Sequence, residues 1–495
     1  MKKFQTILQE RVKLLLFVLL SISLNSFSTN TKFYNISDTY GITSGEAFSI
    51  CKDQYGFIWT STKTGILRVT EGDCRNYELP CRTTDFVFVK LTYSNSQLFS
   101  YTNNGQIFHY DEPTDQFFFL TDLREETDNS HITIGTIVAD TSKVLWIASS
   151  IGLFKYENNI LTKIPQTEED IKYLTFYDGN HLFYITSAGI SLLNISTSES
   201  RLLYSNTTED FFQVPSLYYD DQLKRLWIGT GSAGLFYYDI IRKSLSDIPI
   251  RNFPKQPILA IRKDAKNTLL IGIDGQGIWN ISEKGDTILH IYKEDLNNPF
   301  SLRGDGVYDI LCDGSKNWIA TFTGKLSFFE NNNSQITPVT YQINNPNSLG
   351  NNHVNQIIED HEGHIWFATN NGVSRWDAAS NKWKHYYQNK SEQAKVFLSL
   401  CEDNQGHIWS GSYSSGIYLL DRETGKTLKH YSSKTNTPGF TGDFIFDFFV
   451  DKEGDVWIGG NQKLSCYLIK EDRFREYPVQ PVSAFAELSP GKLLL

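Results

Sequence analysis

The chain has no hydrophobic run long enough to cross a membrane. Its longest, Leu14 to Leu24, spans 11 residues, about half of the ~20 that a spanning helix needs. It follows Lys2, Lys3, Arg11 and Lys13 and precedes the stretch Ser26-Phe27-Ser28. That is the build of a secretory signal peptide over residues 1–28, which predicts export to the periplasm. Basic charge is also scarce, with 46 Lys and Arg against 56 Asp and Glu, for a net charge of −10. Nucleic-acid backbones are bound by clustered cations that release counterions, so no nucleic-acid contact is expected, and an acidic ligand would need a local basic pocket. The six cysteines form no CxxC pair, and no His-rich cluster has zinc spacing, so neither metal nor cofactor is expected. Cys74 and Cys81 are close enough in sequence for a small-loop disulfide, whose geometry sequence does not decide. Paired carboxylates, a Ser-His-Asp set or a metal cluster would signal catalysis. None stands out, so no catalytic residue is named and the chain reads as no enzyme.

Aromatic residues, by contrast, are plentiful at 14%, as in folded β-rich proteins. Many of them fall in a repeat. Ser49-Ile-Cys-Lys-Asp-Gln-Tyr-Gly-Phe-Ile-Trp59 matches the segments ending at Trp366, Trp409 and Trp457 position by position. After each Trp come small residues, a Gly and an apolar run. Seven of the ten tryptophans hold this register, at 59, 146, 227, 318, 366, 409 and 457. Phe99, Phe183 and Leu270 take the Trp place in weaker copies, and the steps run from 37 to 48 residues. Short apolar runs at a period in the forties predict four-stranded propeller blades.

Each repeated residue has a structural job in that reading. Asp53, Asp264, Asp360, Asp403 and Asp451 cap the turn between the first two strands through backbone N–H groups. Gly56, Gly363, Gly406 and Gly454 supply the backbone angles other residues resist. The rings of Trp59, Trp146, Trp227, Trp366, Trp409 and Trp457 fill the wedge between blades. One carboxylate per turn is too few for a calcium site, and the Ser49 to Asp53 spacing departs from that of a sialidase Asp-box. Cys51, Cys312 and Cys401 share a place held elsewhere by Ile358 and Phe449, which marks a buried strand position.

The segment Asp360-His-Glu-Gly-His-Ile-Trp-Phe-Ala-Thr-Asn-Asn-Gly-Val373 resembles the two-component regulator propeller repeat. Asn298-Pro299-Phe-Ser301-Leu302 and Asn345-Pro346-Asn347-Ser348-Leu349 resemble that family's linkers between blades. The resemblance covers about residues 33–495. It implies the sensor region of a Bacteroides-type hybrid two-component system, with oligosaccharide fragments of polysaccharides as ligands, control of polysaccharide-utilisation genes, and a homodimer as the signalling assembly. The family's kinase and membrane helix lie C-terminal to the propellers, so any membrane attachment of this chain would come through a missing C-terminal part. The fold expected is all-β: a seven-bladed propeller over 29–344, closed by Phe33 to Ile36, then an incomplete second propeller of about three and a half blades over 345–495. The alternatives from other classes are a secreted propeller enzyme, glycosidase or lyase, and a free-standing interaction scaffold.

Ligands of propellers usually meet the face that carries the turns between second and third strands and the loops leading into each blade. On that face the candidates for binding are Lys63, Asp274, Gln276, Arg303, Asp305, His353 and Tyr413. Their mixture suits sugar hydroxyls, with cations for a carboxylate or sulfate. Trp279, Trp376 and Trp383 lie outside the repeat register and are expected to pack on outer strands, with sugar stacking as the alternative.

Overall fold

The computed structural model describes residues 31–36, 46–63, 65–70, 73–165, 167, 169–205, 214–314, 316–331, 338–388, 394–435, 437–479, 481–489 and 491–495. The signal-peptide segment 1–28 lies outside them. The chain divides into two compact units, residues 1–295 with 300–335, and residues 296–299 with 336–495.

Among the described residues the first unit holds seven four-stranded antiparallel sheets. Six are built from consecutive strands, within residues 49–77, 89–122, 134–163, 174–205, 216–247 and 258–292. The seventh combines the strands of 307–330 with Phe33–Asn35. Phe33 lies opposite Phe329 and Asn35 opposite Ser327, so the two ends of the unit are joined in one sheet. The innermost strand of each sheet lies beside that of the next, and Val307–Asp313 returns to Ser49–Lys52. The cycle is closed, and the fold is a β-propeller. In the second unit three more four-stranded sheets, within 354–386, 397–431 and 445–477, precede a hairpin of Ala486–Ser489 and Lys492–Leu494.

The repeat explains this packing residue by residue. At Asp360 one oxygen, Oδ1, accepts the N–H groups of Glu362 at 3.0 Å and His364 at 2.9 Å. The other, Oδ2, accepts the Trp366 indole N–H at 2.8 Å. The same latch recurs from Asp53 to Trp59, Asp140 to Trp146, Asp403 to Trp409 and Asp451 to Trp457. The turn glycines 56, 363, 406 and 454 have φ of +91°, +85°, +80° and +87°, a region that costs an ordinary side chain about 1–2 kcal/mol. Rings at 59, 146, 227, 366 and 409 are fully buried, and deleting such a ring outright costs about 3–5 kcal/mol. Two residues after the Trp position a small residue is needed. A Cβ on Gly229 would lie 2.7 Å from Ile258 Cγ2, and one on Gly411 would lie 2.6 Å from Ile445 Cγ2, each in the next sheet's innermost strand.

The cysteines are all free thiols. Cys51 is buried, while Cys312 and Cys401 pack at the edges of apolar clusters. Trp376 and Trp383 stack on each other with centroids 5.5 Å apart, and Trp279 meets Phe253 edge-on at 5.2 Å. All three rings thus engage aromatic partners of their own unit.

Candidate ligand-binding face

Four of the seven binding candidates come together in the first unit. Asp274 and Gln276 sit in the turn between strands Leu269–Ile273 and Gly277–Ile281. Arg303 and Asp305 sit in the loop that leads into Val307–Asp313 of the neighbouring sheet. The two segments touch, because Gly277 donates its N–H to the Asp305 carbonyl at 2.9 Å, and a Cβ on Gly306 would lie 3.3 Å from Asp274 Oδ1. Lys293 donates to Gln276 Oε1 at 3.0 Å, and the Asp305 carboxylate accepts the Glu294 N–H at 2.8 Å. The Arg303 carbonyl accepts the Thr321 hydroxyl at 2.6 Å, while Arg303 Nε is buried with no partner among the described residues.

The other three candidates stand apart. Lys63 is exposed after strand Ile58–Ser61 of the first sheet, and Thr64 beside it lies outside the described residues. His353 and Tyr413 belong to the second unit. His353 is exposed and bonds through its main chain, to Asn351 Oδ1 and from the Asn370 N–H. Tyr413 is exposed and meets Phe444 edge-on at 5.1 Å, beside a shallow hollow of about 300 Å³ with Lys395.

Below the Asp274 and Arg303 cluster the chain builds a mouth that sequence reasoning missed. Tyr308, whose hydroxyl is held above its ordinary pKa by burial and by Asp274, packs edge-on against Phe48 at 5.4 Å. On its other side Phe322 lies 5.9 Å away, half exposed. The next residue, Asp309, points into the central channel, a cavity of about 220 Å³ lined also by Lys90, Tyr101, Tyr173 and Arg262. Arg262 Nη2 donates to Asp309 Oδ1 at 3.0 Å. Burial opposes the Arg262 charge, but Asp309 and Tyr173 more than offset it, so the guanidinium is held more firmly protonated. Burial pulls the Lys90 ammonium below the usual lysine range, with Asp309 opposing. The signal was present in the strands Val89–Ser94, Ile258–Lys263 and Val307–Asp313, where a charged residue interrupts an apolar innermost strand.

A second cleft, of about 600 Å³, opens between the first two sheets at the end where the Asp53 turn lies. Arg68 lies 5.1 Å from the Phe57 ring centre and 5.4 Å from that of Trp59, and it pairs with Asp115 at 3.2 Å. Tyr77 and Tyr110 donate to the same carboxylate at 2.8 and 2.6 Å. Burial, with the bond to Asp115, pushes the Tyr110 hydroxyl up to about 12. Its polar groups largely satisfy one another.

A closed cycle of four-stranded sheets around a polar channel defines the class, a repeat-built β-propeller. Two repeats of the second unit, at residues 348–371 and 439–462, match the model of the two component regulator propeller family. No curated protein matches the chain. Among solved structures it is similar to the extracellular domain of a hybrid two component system from B. thetaiotaomicron, with TM-score 0.51 and 16% identity over 94% of this chain and 76% of that one. The extracellular domain of a protein described as a one component system from the same organism gives TM-score 0.50 and 19% identity, over 90% and 67%. Virginiamycin B lyase from Staphylococcus aureus gives TM-score 0.48 and 13% identity, over 61% and 99%. At these identities the likeness to the two extracellular domains is one of fold.

Proposed function

We propose that this chain is the exported, ligand-sensing region of a hybrid two-component sensor kinase, which recognises glycan fragments and controls polysaccharide-utilisation genes. Residues 1–28 direct export, 29–344 form a seven-bladed propeller, and 345–495 contribute blades of a second. The kinase that answers the ligand belongs to another part of the full-length protein, and the region itself binds without turnover. The observation that carries this reading is the match of two of its repeats to the two component regulator propeller family. The extracellular domains of the one component and hybrid two component systems that share its fold support it.

A panel of neutral and acidic oligosaccharides, screened by thermal unfolding of the full chain, tests the reading. A ligand that binds only the folded state raises the unfolding temperature by mass action, by the equivalent of about 2.7 kcal/mol at a hundredfold excess over Kd. The expected result is a saturable rise for one glycan class with the sugar recovered unchanged. Catalytic consumption of that sugar would make the chain an enzyme, and no rise with any sugar would make it a scaffold.

A further inference from the structure

The channel of the first unit carries an unbalanced charge. Asp309 accepts three hydrogen bonds: Oδ1 accepts from Arg262 Nη2 at 3.0 Å and from the Ile310 N–H at 2.9 Å, and Oδ2 accepts the Ile50 N–H at 3.0 Å. Lys90 enters from the second sheet, paired in register with Tyr101. Among the described residues no carboxylate forms a hydrogen bond or ion pair with its ammonium, which lies 5.1 Å from the Phe88 ring centre. Two cations therefore face one carboxylate that already accepts three hydrogen bonds. Lys90 is half-buried, and drawing an ammonium out of bulk water with a ring and no carboxylate beside it carries a cost that an incoming anion would offset. The cavity, at about 220 Å³, has room for one acidic group and not for a chain. The aromatic mouth of Phe48, Tyr308 and Phe322 suits the apolar face of a sugar ring attached to that group.

We infer that the central channel binds the carboxylate or sulfate group of an acidic sugar, with Lys90 as its direct partner and Arg262, fixed by Asp309, supplying the second positive charge. This deepens the sensing reading by naming the ligand's chemistry and its seat. Lys90 can be read directly on the full chain, through its rate of acylation followed by mass spectrometry, at constant ionic strength. D-glucuronate and inorganic sulfate, tried separately at millimolar concentration, distinguish the two anions, with D-glucose as the neutral control. Either anion is expected to slow acylation of Lys90 by about tenfold or more, while glucose leaves it unchanged. Lys90→Gln is expected to weaken binding of the protecting anion by about tenfold or more, and Lys90→Arg to retain it. Equal protection by glucose, no protection by either anion, or unchanged affinity in Lys90→Gln would overturn the assignment. The acylation result on the unaltered chain decides the matter should Lys90→Gln not fold. If an oligosaccharide binds while Lys90 stays reactive, the sensing reading stands and the channel assignment falls. Protection of Lys90 by an anion, with no oligosaccharide bound, leaves the channel site and removes the sensing role.

Discussion

Two turns in the first unit carry the same aromatic payload on different supports. In the turn from Asp140 the tryptophan stands six residues on, and Asp140 Oδ2 accepts the Trp146 indole N–H at 2.9 Å. In the turn from Asp220 it stands seven residues on. There Oδ1 still caps the turn through the N–H groups of Gln222 and Leu223, but Oδ2 takes Lys263 Nζ at 3.1 Å instead. The Trp227 ring is as deeply buried as Trp146, yet its N–H has no partner among the described residues. Gly285 makes room for it, since a Cβ there would lie 2.6 Å from the ring. Trp318, reached by a shorter turn, is also without an indole partner. Trp227 and Trp318 stay buried without the latch, and the latched Trp457 is only half-buried, so burial and latch vary independently, and the latch forms where the tryptophan stands six residues after the aspartate.

The sharpest way to break that comparison is to shave both rings to phenylalanine. Trp146→Phe loses transfer energy and a hydrogen bond and leaves Asp140 short of a donor, so it should cost about 3 kcal/mol. Trp227→Phe removes a buried donor that was already unsatisfied and should cost only about 1 kcal/mol. The urea midpoints of the two variants, read with a common slope, measure the gap, and equal midpoints would show that the indole bond contributes nothing. A smaller effect separates the carboxylates. Asp140→Asn turns an amide donor toward the Trp146 indole donor, whereas Asp264 serves only the N–H groups of Lys266 and Thr268, with Leu270 in the Trp place. The first substitution should cost about 1 kcal/mol more than the second, on the same urea assay.

The parts of the fold that were legible in the sequence are those where one residue type serves one purpose. Asp-x-x-Gly followed by Trp marks a turn and a buried ring together, so the all-β propeller followed from the strong copies, and the Phe33 strand does pair with Phe329. The weak copies hid because the same geometry tolerates other residues. Lys143 and Asn267 occupy the glycine place with φ of +67° and +60°, while Asn95 and Ser96 replace the Asp turn of the second sheet altogether. The second role of the Asp, as acceptor for the indole, was not legible, since it depends on a turn length that fixes which oxygen faces the ring. The loops proposed as a binding face were legible in the sequence. That reading put Asp274, Gln276, Arg303 and Asp305 among seven residues of one face, and these four are neighbours in the structure, but it passed over Lys90, Arg262 and Asp309 on the innermost strands. Those three are adjacent only because the cycle closes.

The finest test of the latch is its response to acid, and Asp360 in the second unit is the place to read it. Burial alone would raise the Asp360 carboxyl, but the Trp366 indole, the His364 N–H and ring, and the Glu362 N–H more than offset it and hold it below the usual carboxylate range. A carboxylate whose folded pKa lies below its unfolded value contributes stability above that unfolded value, about 4, and loses it as pH falls through the folded pKa. The unfolding temperature of the unaltered chain should therefore drop more steeply below about pH 4 than that of Asp360→Asn, which has no proton to gain. Trp366 fluorescence cannot be isolated among ten tryptophans, so amide hydrogen exchange within the sheet of residues 354–386 is the measurement that localises the loss. Parallel acid profiles for the two proteins would mean that the Asp360 latch holds its geometry without contributing to stability through its charge.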